Sequence, residues 1–308
     1  MPKPYTSLKF HPLTIEQKES IQAITLHSGR RNCNFNFTNL IGWQFLFDTT
    51  VCLLPDIAIF KYNFDHRQPA YFISSKALPD ISIIEALLRN CEENGETLVL
   101  IAVEDDWASQ LKGIYGDAVN IEPIRNSYDY IYLRKELEHV KGKNLKAKRN
   151  HINKFLSLHP DYKFIELTPD LFHLCRQLEQ QWREDVHHDN PWYGNTIESE
   201  QKMIETIFNN WSKLDIYGGA IFVEDKMIAF SFGSAVTCDT FDTCVEKADR
   251  NVDGAFNIIN QQMAAHLPSN IKYINREEDM GLEGLRKSKL SYHPETLLSY
   301  NILTFEKI

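Results

Sequence analysis

The chain has 308 residues, 43% of them hydrophobic, with 18 Phe and 13 Tyr, and a formal net charge of −9. Its length exceeds one ordinary domain, so two are expected. The acidic balance excludes a protein that coats nucleic acid by overall charge but leaves room for a local basic site. No run of roughly 18 apolar residues marks a membrane-spanning helix.

Residues 1–10 are short, polar and proline-containing rather than an apolar leader. The six cysteines, at 33, 52, 91, 175, 238 and 244, lack a CxxC pair. Unpaired thiols in a reducing cytoplasm are therefore expected. In chain order, Leu13-Thr14-Ile15-Glu16-Gln17 reads as a capping box opening a helix to about Leu26. Residues 32–39 read as a polar loop or short edge strand. Strands follow at 56–62 and 70–75 around a turn at 63–68, then a helix from Pro79-Asp80 to about Asn90. A strand at 97–103 and a helix at 105–115 come next, and an aromatic strand at 128–133.

Composition then shifts. Between Arg134 and Lys154 there are eight Lys or Arg against two Glu, and this region divides the chain into domains 1–138 and 139–308. The second half opens with a strand at 163–166. Thr168-Pro169 starts one helix, with Leu171, Leu174, Cys175, Leu178 and Trp182 on its inner face, and a second helix follows Thr196. Strands are expected at 218–224, 227–235 and 241–245, a helix over 251–266, and late strands at 271–275 and 300–305. Antiparallel hairpins dominate and no GxGxxG follows the first strand, so the fold class is α/β with mixed sheets and not a dinucleotide-binding pattern.

The segment from Tyr273 to Pro294 passes from a strand to an acidic cluster, two glycines and the basic triplet Arg286, Lys287 and Lys289. These cations suit phosphate oxygens on a bent loop, or a solvated surface. Glu246-Lys247-Ala248-Asp249-Arg250-Asn251 lies between a strand and a helix start, where free N–H groups favour an anion. Alternatively, Asp249, Asn251 and Asp253 only cap that helix. Glu246 is either a base toward an attacking hydroxyl or amine or one half of an ion pair with Arg276 or Lys247; Arg276 and Asp279 are open in the same way. The run Lys143, Lys146, Lys148, Arg149 and Lys154, with Asn150 and His151 as polar donors, is the best candidate for a polyanion. Trp192 and Tyr193 read as a lid or pocket wall. No metal site is expected from the adjacent His187 and His188, and no G-x-S-x-G or P-loop occurs.

Tyr130-Ile-Tyr-Leu133, the run from Gly142 to Phe155, Glu246-Lys-Ala-Asp249 and the segment from Ile274 to Leu290 together resemble the phosphatidylglycerol lysyltransferase C-terminal-domain family, also called DUF2156. The motifs cover mainly residues 128–308. The resemblance implies two GNAT-like acyltransferase domains in tandem. It also implies transfer of an aminoacyl group from aminoacyl-tRNA to an amine or hydroxyl on a small molecule, peptide or lipid headgroup, with no tightly bound cofactor. Under it, Glu246, Arg276 and Asp279 are the catalytic candidates. Lys143, Lys146, Lys148, Arg149, Asn150, Lys247, Asn251, Arg286, Lys287 and Lys289 are the candidates for donor phosphate or tRNA. Unlike the lipid-modifying synthases, the chain carries no multi-helix membrane domain. Two other readings stay open: an acetyl-CoA-dependent N-acetyltransferase, and a catalytically silent protein that binds RNA or another polyanion.

Overall fold

The computed structural model describes residues 8–63, 68–189 and 194–306. They form a mixed α/β fold with two compact units, each built on a seven-stranded sheet. Unit 1 comprises residues 1–129, 278–281 and 297–308, and unit 2 comprises 130–277 and 282–296.

Unit 1 runs β1 (His11–Pro12), α1 (Lys18–Ser28), α2 (Phe37–Gly42), α3 (Gln44–Phe47), β2 (Thr50–Leu54), β3 (Ile57–Tyr62), β4 (Ala70–Ser75), α4 (Ile81–Glu93), β5 (Val99–Val103), α5 (Asp105–Tyr115) and β6 (Val119–Pro123). The expected capping box is present, Thr14 N–H donating to Gln17 Oε1 at 2.8 Å, although one 3₁₀ turn precedes α1. Asp80 caps α4 through Ser82 N–H at 2.9 Å. The buried face of α4, Ile83, Ile84, Leu87 and Cys91, joins Ile59, Tyr71 and Leu100 of the sheet in one core. Residues 32–39 do not form the expected loop or edge strand. Asn32 and Asn36 instead turn their carbonyl oxygens to the N–H groups of Asn34 and Thr38, opening a 3₁₀ turn and α2. Their polarity serves as capping, while Phe35, Phe37 and Leu40 go inside.

Unit 2 follows the edge residue Asp129 of β7 (Asp129–Leu133) with α6 (Arg134–His139), α7 (Lys146–Leu158), β8 (Lys163–Glu166), α8 (Phe172–Asp189), α9 (Gly194–Asn209), β9 (Ile216–Val223), β10 (Lys226–Thr237), β11 (Thr240–Ala248), α10 (Ala255–His266), β12 (Tyr273–Asn275) and α11 (Glu283–Leu290). The short β13 (Thr296–Leu298) lies at the edge of this second sheet, whose order is β13-β7-β12-β11-β10-β9-β8. The last strand, β14 (Asn301–Phe305), returns to the first sheet between β5 and β6. All pairings in the second sheet from β8 to β11 are antiparallel, and β12 runs parallel to β11 with Phe241 opposite Ile274.

α10 packs on β9, β10 and β11. Its fully buried Ile258 and Ile259 each contribute roughly 1.5–3 kcal/mol by leaving water. Arg134 secures the far end of α10, its guanidinium donating to the carbonyls of Ala264 at 2.7 Å, Ala265 at 3.2 Å and Pro268 at 2.6 Å. The carbonyls of Ala264 and Ala265 are among the acceptors a helix C-terminus leaves without partners, and Pro268 lies just past the helix. Residues 283–290 are a helix rather than the expected bent loop, and its periodicity turns Lys289 inward and Lys287 outward. Among the described residues, no helix is long and apolar enough to cross a membrane. None of the six cysteines is in a disulfide; five are buried, and Cys238 is exposed in the turn between β10 and β11.

Candidate functional site

β11 extends to Ala248, three residues past its expected end, and so its alternation governs the chemistry at its C-terminal end. Successive side chains leave opposite faces, which separates Glu246 from Lys247. Glu246 faces α10, where Asn260 Nδ2 donates to its Oε2 at 3.4 Å. Lys247 faces α8 and α9, with Nζ 2.8 Å from Glu200 Oε2 and 3.3 Å from the ring centroid of Trp182.

Arg276, just past β12, donates from Nη2 to Glu246 Oε1 at 2.7 Å. The side chains are 13% and 11% exposed, which makes this an interior ion pair. The guanidinium lies near the rings of Tyr292 and Tyr132, with centroids 5.0 and 5.8 Å away. Burial pushes the Arg276 pKa down, but Glu246 and then the two phenols carry it above its ordinary value. Tyr132 donates to Lys289 O at 2.7 Å, and Tyr292 Oη accepts from Asn257 Nδ2 at 2.6 Å. Burial raises the pKa of both phenols. Lys148, on α7, places Nζ 4.4 Å from the Tyr292 centroid. Burial, and secondarily Arg276, hold its ammonium below the ordinary lysine range. Arg276 Nη1 and Asn260 Oδ1 are buried without a hydrogen-bond partner.

The other sequence candidates take varied positions. Lys143, Lys146 and Asn150 are exposed. Arg149 closes the Gly142 turn by donating to Val140 O at 2.8 Å and Gly142 O at 3.0 Å. His151 and Lys154 both reach Asp253, at 3.0 and 2.6 Å, on the surface. Asn251 is exposed and its N–H donates to Asp249 Oδ1 at 3.0 Å, but α10 starts at Ala255 with Gly254 as its N-cap and no side-chain cap, so Asp249, Asn251 and Asp253 do not cap it as weighed above. Arg286 is half-buried and Lys287 exposed. Lys289 is buried and donates to the carbonyls of Arg276 at 2.5 Å and Glu277 at 3.2 Å, bracing the turn that carries Arg276. Asp279 belongs to unit 1, where it is fully buried and accepts from Arg125 Nη1 at 3.1 Å and from Gly281 N–H at 2.9 Å. Trp192 and Tyr193 lie outside the described residues.

Tyr132, Tyr292, Asn257 and Asn260 were not singled out from the sequence. Asn257 and Asn260 are three apart, hence on one helix side, and that spacing among the apolar residues of the first turns of α10 is the signal that was available. Two further groups have metal-ligand chemistry: Cys33, Asp129 and Glu278 in unit 1, and Asp242, Cys244 and Glu277 in unit 2. In each, the ligand atoms lie within 4.8 Å of one another. In the second group burial, with Asp242 and Glu277 adding to it, pushes the Cys244 thiol well up, away from the thiolate a metal requires. A hollow of about 340 Å³ in unit 1, lined by Lys9, His11, Gln17 and residues 51–54, includes none of the sequence candidates.

Two mixed sheets flanked by helices, with a carboxylate–guanidinium pair inside the second unit, define a mixed α/β protein of two compact units. Residues 27–302 match the family described as phosphatidylglycerol lysyltransferase, C-terminal, and the chain belongs to that family. A conserved protein of unknown function from Bacteroides thetaiotaomicron is similar in structure, with a TM-score of 0.90 and 35% identity over 97% of this chain and 100% of that one. L-PGS from Bacillus licheniformis shares the fold at a TM-score of 0.62 and 13% identity, over 94% of this chain and 91% of that one. An uncharacterized protein of Mycoplasmoides gallisepticum is 24% identical over 245 residues, 73% of this chain and 76% of its own length.

Proposed function

We propose that the chain is an aminoacyl transferase, moving an aminoacyl group from aminoacyl-tRNA to an amine or hydroxyl acceptor. Membership of a family described as a lysyltransferase supports the reaction class. The observation that carries the site is the Glu246–Arg276 pair at 2.7 Å, clasped by two tyrosines on the α10 face of β11. In this reading the acceptor's N or O attacks the ester carbonyl, forming a tetrahedral oxyanion, and the bond to the ribose oxygen then breaks. Glu246 takes the proton from the nucleophile and returns it to the leaving hydroxyl. Arg276 holds the carboxylate in one orientation and lends positive potential to the oxyanion. Asp279, held by Arg125, fixes the neighbouring turn. The proposal includes GNAT-like architecture for both units, and a cytoplasmic setting in which the six thiols, none of them in a disulfide, stay reduced.

The test supplies radiolabelled aminoacyl-tRNAs with phosphatidylglycerol vesicles, amino-acid amides and short peptides as acceptors. Label should pass to one acceptor class, and Glu246→Gln should slow transfer by about 10²-fold or more while donor affinity persists. Label that stays on tRNA with every acceptor while acetyl-CoA is consumed would overturn the proposal.

A further inference from the structure

The first turn of α7 carries charges opposite to those its backbone favours. A helix N-terminus presents unpaired N–H groups and positive potential, so acidic residues are preferred there. The N-cap of α7 is Leu145; no side chain caps the helix and its first turn holds no acidic residue. Lys146, Lys148 and Arg149 occupy that turn instead. Arg149 is engaged by two carbonyls. Lys148 is drawn inward over Tyr292, whose ring also receives Arg276. Among the described residues, Glu246 is the carboxylate tied to this cluster, and Arg276 already holds it. Two inward cations and a positive helix end thus share one anion. The lowered pKa of Lys148 agrees with a cation lacking a counter-ion.

We infer that Lys148 Nζ and the uncapped N-terminus of α7, backed by Arg276, form a seat for a phosphoryl oxyanion. Net positive charge of about one and a half favours phosphate over a carboxylate, which would leave about a third of it uncompensated. The inference rests on the transferase reading for its occupant, a phosphate of the nucleic-acid donor, but its geometry stands apart from any transfer step.

Inorganic phosphate is the probe, titrated into the full chain by calorimetry and followed by ³¹P line broadening. The wild type should bind. Lys148→Met should weaken binding by about tenfold, Lys148→Arg should retain it, and Lys163→Met on β8 should leave it unchanged. Deacylated tRNA should displace the phosphate. Binding that Lys148→Met leaves intact overturns the seat, and phosphate that tRNA does not displace is an adventitious ion only, which overturns it too. Should Lys148→Met fail to fold, the wild-type thermal midpoint decides: a rise with phosphate concentration supports the seat and a flat response overturns it. A wild type that binds phosphate through Lys148 yet transfers nothing removes the transferase reading alone. A working transferase without phosphate affinity removes the seat alone.

Discussion

Replacing Glu246 by alanine strands the Arg276 charge in an interior site. The Arg276 side chain is 13% exposed and its Nη1 already has no hydrogen-bond partner, so solvent compensates little of what the carboxylate supplies. Removing one partner of such a pair costs about 3–5 kcal/mol. The tyrosine rings at 5.0 and 5.8 Å offset part of this, by about 0.5–2 kcal/mol. The expected loss for Glu246→Ala is therefore about 3 kcal/mol. The double variant Glu246→Met/Arg276→Met removes both charges and leaves apolar side chains among aromatic neighbours. Tyr132 keeps its bond to Lys289 O and Tyr292 its bond from Asn257, so the chief orphan is Asn260, at about 1–2 kcal/mol. The double variant should thus be more stable than Glu246→Ala, with a coupling of about 2 kcal/mol in a double-mutant cycle that includes Glu246→Met and Arg276→Met. Urea unfolding followed by far-UV circular dichroism measures all the variants. Glu246→Ala within about 0.5 kcal/mol of wild type, or additive Met variants, would refute the interior ion pair.

Lys287 and Lys289 should differ sharply although they sit two residues apart. Lys289→Met removes the side-chain donor from Arg276 O, while Glu277 O keeps the Tyr130 N–H, and should cost about 1–3 kcal/mol, a few degrees in thermal midpoint, whereas Lys287→Met should stay within about 0.5 kcal/mol. Gly254 has φ +84°, and an added Cβ would meet His151 O at 2.8 Å and Phe155 Cβ at 2.9 Å. Gly254→Ala should cost roughly 2–4 kcal/mol by calorimetry through left-handed strain and the forced separation of α7 from α10. Burial pushes Asp249 up, but Lys226 at 2.7 Å and the Asn251 N–H outweigh it and lower its pKa. Its contribution is therefore complete above the unfolded value of about 3.9 and is lost as pH falls through the lower folded value. Asp249→Asn should flatten that part of an acid-unfolding curve, and an unchanged curve would contradict the assignment.

Where local chemistry and burial agree, the fold was readable from the residues. The helix expected at 105–115 forms over those residues, because Trp107, Ala108 and Leu111 recur at helical spacing after two acidic first-turn residues. The strand at 70–75 likewise has its expected bounds. The helix at 37–42 was hidden because its asparagines signal loop by composition yet act as caps by geometry. β2 and β6 were missed for other reasons. β2 pairs with the neighbouring β3 across the short turn at 55–56, so its signal was local, whereas the mixed pattern of β6, Val119-Asn-Ile-Glu-Pro123, acquires meaning only once β14 arrives from the far end of the chain to pair with it in register. No local window contains that partner.

The site shows the same dependence on reach. With a strand ending at Val245, residues 246–251 are a loop, and Glu246, Lys247 and Asn251 form one plausible phosphate cradle. Three more strand residues change that: period two sends Glu246 to Arg276 and Lys247 to Trp182 and Glu200. The cations once grouped by proximity in sequence then fall into separate jobs. Lys247 is neutralised on the α8 face, Lys289 braces a turn, and Arg149 closes another. Lys148 is left facing the tyrosine cluster with no carboxylate of its own, and it comes from the basic run rather than from the Tyr273–Pro294 segment. The proposed anion seat in unit 2 thus rests on helix and strand geometry more than on the density of basic residues. That is why substitution of Lys148, and not of the exposed Lys143 or Lys287, is the discriminating experiment.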